Sequence, residues 1–126
     1  LKNTDLKNDV IFSDLYNAQG MEQRQVQSSY LRDCEKALNH DGVLVLNICH
    51  TSPEVRKELE RVLVLEFKNR LLSVEVEGGN TIVLAFKNKI PPITRKELLA
   101  RAERLEEEMN ITMEPYAQQI GDLLDL

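Results

Sequence analysis

Apolar and polar positions follow two rhythms along this chain, and the changes from one to the other mark out strands and helices. Val10, Ile11 and Phe12 form a short β-branched and aromatic run that stops at Ser13-Asp14, long enough for a strand buried on both faces. Leu1–Lys7 ahead of it has no period and reads as a lead-in, and the polar stretch Asp14–Gln25 after it reads as a loop. Tyr30, Leu31, Cys34, Ala37 and Leu38 then recur every three or four residues, which predicts one helical stripe with Ser28 or Ser29 capping its first turn. Asn39-His40-Asp41-Gly42 ends that helix, the glycine supplying a left-handed turn. Val43–Ile48 is a second apolar strand. Ser52-Pro53 supplies a cap followed by proline at the first helical position, and Val55, Leu59, Val62, Leu63 and Phe67 continue the stripe.

Strand, helix, strand, helix predicts parallel strands joined by right-handed crossovers. The rhythm then shortens. Leu72, Val74 and Val76 alternate with Ser73, Glu75 and Glu77, Gly78-Gly79-Asn80 turns the chain, and Thr81–Phe86 returns as another apolar strand. Strands joined by so short a turn must be antiparallel. Thr94 and Glu97 form a capping box, after which Leu98, Ala102, Leu105 and Met109 carry a stripe, with Glu97 and Arg101 paired on the outer face. Tyr116–Leu124 is a final short helix after Pro115. These helices cover one edge of the sheet or contact a second chain. The fold class is α/β: a mixed four-stranded sheet with a terminal antiparallel hairpin and flanking helices. Residues 1–90 make the α/β domain and 91–126 a helical extension.

A length of 126 residues fits one core. The net charge of −5 argues against general nucleic-acid binding, which needs a basic face, and suits a cationic ligand better. No window approaches the roughly 18 apolar residues of a membrane span, and no stretch reads as a signal peptide. The chain opens on Leu1 rather than Met, so its start is expected to lie inside a longer gene product. Cys34 falls in a helical stripe and Cys49 follows a buried strand, so both read as small core residues rather than a disulfide, in keeping with the cytoplasm. The two histidines, His40 and His50, lack the partner spacing of a metal site. Cys49-His50 makes no nucleophile pair, since neighbours on a strand point apart. Glu106-Glu107-Glu108 lies near a helix end, where the dipole disfavours anions, and reads only as a solvated face.

Asp14 is the residue most open to a chemical reading. A hydrophobic strand that delivers an acid into a loop is how an open α/β sheet places chemistry at the carboxyl ends of its strands. The structural alternative is an acid that caps a turn. Tyr16 either stacks on a ligand or covers the sheet, and Asn17 alone reads as a turn residue.

DVIFSDLYNAQG (Asp9–Gly20) followed by SSYLRDCEKALNHDGVLVLNI (Ser28–Ile48) resembles the spermidine and spermine synthases. These are the aminopropyltransferase branch of the class I S-adenosylmethionine-dependent methyltransferase superfamily. The resemblance runs from about Asp9 to Lys87 and covers the C-terminal half of such a Rossmann-like fold. It implies the strand order 4-5-7-6 in the family's numbering, with an antiparallel last strand inserted. It places Asp14 where the family carries the acid that accepts the proton of the attacking amine. Leu15, Tyr16, Asn17, Gly20 and Asn47 would line the crevice around substrate or cofactor. Asn17 falls where the family has a second Asp, Ala18 where it has proline, and Asn47 where it often has Gln, while Gly20 matches a family glycine.

The glycine-rich nucleoside loop and the ribose-binding acid belong to the family's upstream half. Gly78-Gly79 sits in a hairpin turn and supplies neither. The resemblance thus implies a transferase that uses S-adenosylmethionine or its decarboxylated form when full length, moving a methyl or aminopropyl group to an amine or other acceptor. No activity and no cofactor are expected of these residues alone, and no metal is implied. The alternative is a non-catalytic, degenerate module serving assembly. The family's first strand pairs with its fourth, so Val10–Ser13 should present an open apolar edge, which predicts a homodimer through that edge or through the last helices.

Overall fold

The computed structural model describes residues 5–14, 16–17, 20–21, 27–49 and 51–126. In chain order the elements are β1 (Asn8–Ser13), β2 (Tyr16–Asn17), β3 (Gly20–Met21), α1 (Ser28–Ala37), β4 (Leu38–Ile48), α2 (Pro53–Phe67), β5 (Leu71–Val76), β6 (Asn80–Phe86), α3 (Arg95–Met109) and α4 (Glu114–Leu123). The main sheet has the order β1-β4-β6-β5, with β1 and β4 parallel and β6 antiparallel to both of its neighbours. The last strand in sequence therefore lies inside the sheet, between β4 and β5. Gly78 and Gly79 turn β5 into β6 at φ of 99° and 88°, a conformation that side chains resist.

α1 and α2 cover one face of the sheet. Leu44, Leu46 and Ile48 of β4 and Val83 and Ala85 of β6 meet Leu31, Cys34, Leu59, Val62, Leu63 and Phe67 in a single buried cluster. Each large apolar side chain withdrawn from water here is worth about 1.5–3 kcal/mol. Val55 falls outside the cluster and is exposed, because the α2 stripe engages the sheet only from Leu59 onward. The two helices are also tied by Glu66, which accepts hydrogen bonds from Ser28 Oγ and from Arg32 Nη2 at 3.0 Å. These donors hold the Glu66 carboxyl below the usual range. Ser28 is thus committed to α2, and Gln27 occupies the cap position of α1 without a side-chain bond.

The helix α1 passes straight into β4 at Leu38, and no left-handed glycine intervenes. The register of β4 against β1 jumps between the pairs Asn8–Leu38 and Val10–Val43, so the expected turn Asn39–Gly42 is an irregularity within the strand. Gly42 is needed for space rather than for its φ: a Cβ there would sit 2.9 Å from the Asn8 carbonyl oxygen and 3.0 Å from Leu38 Cβ. Asn8 Nδ2 and Lys7 Nζ donate to the Ala37 and Lys36 carbonyls at 3.1 and 2.6 Å, which satisfies the end of α1 from the β1 side.

The opposite face carries Val10 and Phe12 of β1, Val43, Val45 and Asn47 of β4, Ile82 and Leu84 of β6, and Leu72 and Val74 of β5. α4 packs on β5, and Leu72 and Val74 are buried there. At the other end Phe12 is 78% and Val10 44% exposed. β1 is therefore not covered on both faces as its sequence suggests: Ile11 and Ser13 turn toward the helices, while the alternate residues face outward on an edge strand.

The capping box of α3 forms as its sequence predicts, with Thr94 Oγ1 accepting from Glu97 N–H at 3.3 Å and Glu97 Oε2 accepting from Thr94 N–H at 2.9 Å. Glu106 proves to have a structural task. Its Oε1 accepts the N–H groups of Met113 and Glu114 at 2.5 and 2.8 Å, so it caps the first turn of α4. Arg95 pairs with Asp122 at 2.7 Å and lies against Gly121, where a Cβ would come 3.1 Å from its Cζ. Gln119 completes the outer edge of β5: its Oε1 accepts from Glu75 N–H at 3.0 Å and its Nε2 donates to the Glu75 carbonyl at 3.1 Å.

Candidate functional site

Strand alternation places the site before any side-chain contact is considered. With Ile11 and Ser13 committed to the helix side, Phe12 and Asp14 fall on the open face at the carboxyl end of β1. Ser13 is buried, and its hydroxyl shares a 2.9 Å hydrogen bond with the Tyr30 hydroxyl, which fixes the strand end that Asp14 follows. Burial of Tyr30 pushes its hydroxyl pKa above the ordinary value. Asp14 itself is exposed.

Two neighbouring strands bring amides to this acid. Asn47, near the carboxyl end of β4, donates from Nδ2 to Asp14 Oδ1 at 3.1 Å. Asn80, the first residue of β6, donates from Nδ2 to Asn47 Oδ1 at 3.0 Å. A row of polar groups thus runs across three strand ends, at the end of the sheet where α/β proteins place ligands. Beside it lies a shallow depression lined by Phe12, Ser13, Asp14, Val45, Asn47 and Ile82. A carboxylate at the rim of an apolar floor is matched to a cation carried on a hydrocarbon chain, and alkyl ammonium groups have that character.

Of the residues singled out in the sequence, Asp14 and Asn47 are brought into direct contact. Leu15 lies outside the described residues. Tyr16 and Asn17 form β2 and Gly20 opens β3, where Tyr16 pairs with Met21 and Asn17 with Gly20 in a small antiparallel ladder. That ladder stands where the sequence predicts only loop. The sequence reads Asn80 as part of the Gly78-Gly79-Asn80 turn. Its signal lay in the alternation of β6, which puts Asn80 on the same face as Ile82, whose register partner is Asn47.

Cys49 is half-buried and His50 lies outside the described residues. Cys34 is buried in the core, where desolvation raises its thiol pKa, and neither Cys34 nor Cys49 forms a disulfide. Among the described residues no group of three or more histidine, cysteine, aspartate or glutamate side chains is arranged to hold a metal ion, and no helix is long and apolar enough to cross a membrane.

The described residues do not fit an S-adenosyl nucleoside. β4 leads to α2 through Ser52-Pro53 rather than a glycine-rich loop, and the adjacent glycine pair turns a hairpin.

No family model matches the chain. Two curated relatives are similar to it, the polyamine aminopropyltransferases of Neisseria meningitidis serogroup A (strain Z2491) and serogroup B (strain MC58). Each is 31% identical over 98 residues, which cover 77% of this chain and 37% of the relative. The chain therefore spans well under half the length of the curated relatives it matches. Over those 98 residues the chain is similar to part of the polyamine aminopropyltransferases.

Proposed function

We propose that this chain supplies the amine-binding side of a spermidine synthase-like transferase acting in the cytoplasm. The observation that carries the reading is the Asp14–Asn47 pair at the parallel strand ends, set beside the apolar depression of Phe12, Val45 and Ile82. Asn47 occupies Oδ1 of Asp14, and among the described residues it is the side chain that bonds this carboxylate. In this reading the other oxygen, Oδ2, receives an ammonium. The methylene groups of the acceptor would lie over the depression. An amine must lose its proton to attack carbon, and a carboxylate at its side both positions it and takes that proton. Tyr16, Asn17 and Gly20 follow Asp14 closely enough in the chain to form one wall of the crevice.

The donor in this reading is decarboxylated S-adenosylmethionine for aminopropyl transfer, or S-adenosylmethionine for methyl transfer, held by residues other than those described. Alone, residues 1–126 carry out no transfer. Residues 1–90 form the working half-domain and 91–126 brace it.

The test is turnover by the protein that carries this chain, with 1,4-diaminobutane as acceptor and each nucleoside in turn as donor. Transfer from the decarboxylated donor, reduced roughly 10²–10⁴-fold by Asp14→Asn at unchanged Tm, is expected. Full activity in Asp14→Asn would remove the reading.

One observation favours a second reading, a non-catalytic module that pairs with another copy. β1 is an outer strand with Val10 and Phe12 exposed, and such an edge recruits other strands. A homodimer through β1 that persists without any nucleoside or amine binding would favour it.

A further inference from the structure

We infer that Asn80 is a positioning residue for Asp14, acting through Asn47; the inference rests on the reading of Asp14 as the amine-binding acid. The argument is one of hydrogen-bond direction. An ionised carboxylate only accepts, so the Asn47 amide must turn its NH₂ group toward Asp14. That leaves the Asn47 carbonyl oxygen facing β6, where a donor has to meet it. Asn80 Nδ2 is that donor, at 3.0 Å.

The row therefore has a single sense, Asn80 to Asn47 to Asp14. Reversing any amide would set a carbonyl oxygen against an acceptor. Without a donor at position 80, Asn47 could rotate and bring its own oxygen toward the carboxylate, or leave it for water. Asp14 would then lose the bond that fixes Oδ1 and frees Oδ2 for the substrate.

The backbone makes this placement firm. Asn80 pairs with Val76 across the hairpin, directly after the Gly78-Gly79 turn, so its position is set by the tightest part of the sheet. Asn47 sits in β4, held on both sides by β1 and β6. Asp14 lies just past the end of β1 and has the least support of the three, since among the described residues its strand has a sheet neighbour on one side only. The order of rigidity runs in the same direction as the hydrogen bonds. A fixed strand start holds an amide, and the amide holds an exposed acid.

The experiment follows the Asn47 side-chain amide in ¹H–¹⁵N spectra of this chain, in the wild type and in Asn80→Ala, Asn80→Asp, Asn80→Gln and Asp14→Asn. Asn80→Asp keeps the size and removes the donor. Both it and Asn80→Ala are expected to speed solvent exchange of the Asn47 amide protons roughly threefold to tenfold, with Asn80→Gln restoring protection. Asp14→Asn, at an exposed position, should release the same amide from the other side, and it serves if an Asn80 variant fails to fold. Unchanged Asn47 exchange in folded Asn80→Ala and Asn80→Asp overturns the inference.

Calorimetry with 1,4-diaminobutane gives a second readout with opposed expectations. Added negative charge alone would make Asn80→Asp bind the diamine more tightly. A positioning role predicts binding weaker by roughly threefold to tenfold, and tighter binding overturns it. Should the wild type take up no diamine, the reading of Asp14 as an amine site fails, and the Asn47 exchange rates alone decide whether Asn80 orients it.

Discussion

β1 and β5 are the two outer strands of one sheet, and they meet their surroundings in opposite ways. On β5, Gln119 of α4 accepts from the Glu75 N–H and donates to its carbonyl, as a neighbouring strand would. The same helix buries Leu72 and Val74, which are 7% and 6% exposed. On β1, Phe12 is 78% exposed and no described element lies beyond the strand. Proteins cover or interrupt strand edges because unpaired backbone groups attract other strands. This chain closes one edge with its own side chains. The other edge, left accessible, is the one that ends in the candidate acid.

The largest expected effect comes from truncating matched apolar residues on the two strands. Leu72→Ala should cost about 2–4 kcal/mol in urea unfolding, through lost burial and the cavity left under α4. Phe12→Ala should stay within about 0.5 kcal/mol, as for an ordinary surface position. Equal costs would mean that β1 is covered after all.

Gln119→Ala comes next. It strips two hydrogen bonds from the β5 edge and should cost about 1–2 kcal/mol. The same substitution should promote self-association through β5, read by sedimentation velocity. If the edge pairing matters less than the packing of α4, stability and mass will both stay at wild-type values. On the opposite strand, Phe12→Lys should weaken any concentration-dependent association of the wild type while leaving its unfolding midpoint nearly unchanged.

The smallest effect is one of pH. Backbone N–H groups of Glu114 and Met113 hold the Glu106 carboxyl below its ordinary 4.5, and Thr94 does the same for Glu97. A carboxyl depressed in the folded state adds stability that is present above its unfolded value and is lost as pH falls through the folded one. Thermal stability should therefore decline as pH drops below about 4.5, with a shallower decline in Glu106→Gln. An identical slope in that variant would show that the α4 cap contributes nothing.

Features fixed by near neighbours in sequence could be read without the structure. Ser52-Pro53, Thr94 with Glu97, and Gly78-Gly79 act within a few residues, and the stripes of α1 and α2 follow from helical period alone. Features fixed by tertiary neighbours could not. Asn39–Gly42 carries the signature of a helix end, yet it is strand, because Gly42 answers the close approach of Asn8 rather than a demand for positive φ. Ser28 looks like a cap and is claimed instead by Glu66 across the helix pair. Glu106 looked like an acid at an unfavourable helix end until α4 brought its N–H groups to it. The site shows the same division. Asp14 stood out at the end of an apolar run, whereas Asn80 gained its place only through the pairing of β6 with β4.

The central claim is that Asp14, supported from β4 and β6, receives an alkyl ammonium at the open side of the sheet. The most direct measurement is a residue-resolved NMR titration of the chain with 1,4-diaminobutane, repeated on Asp14→Asn. Saturable shift changes confined to Phe12, Asp14, Asn47 and Asn80, and abolished by Asp14→Asn, are the predicted result. Changes that centre instead on the acidic run Glu106–Glu108 of α3, or that survive the loss of the Asp14 carboxylate, would contradict the account.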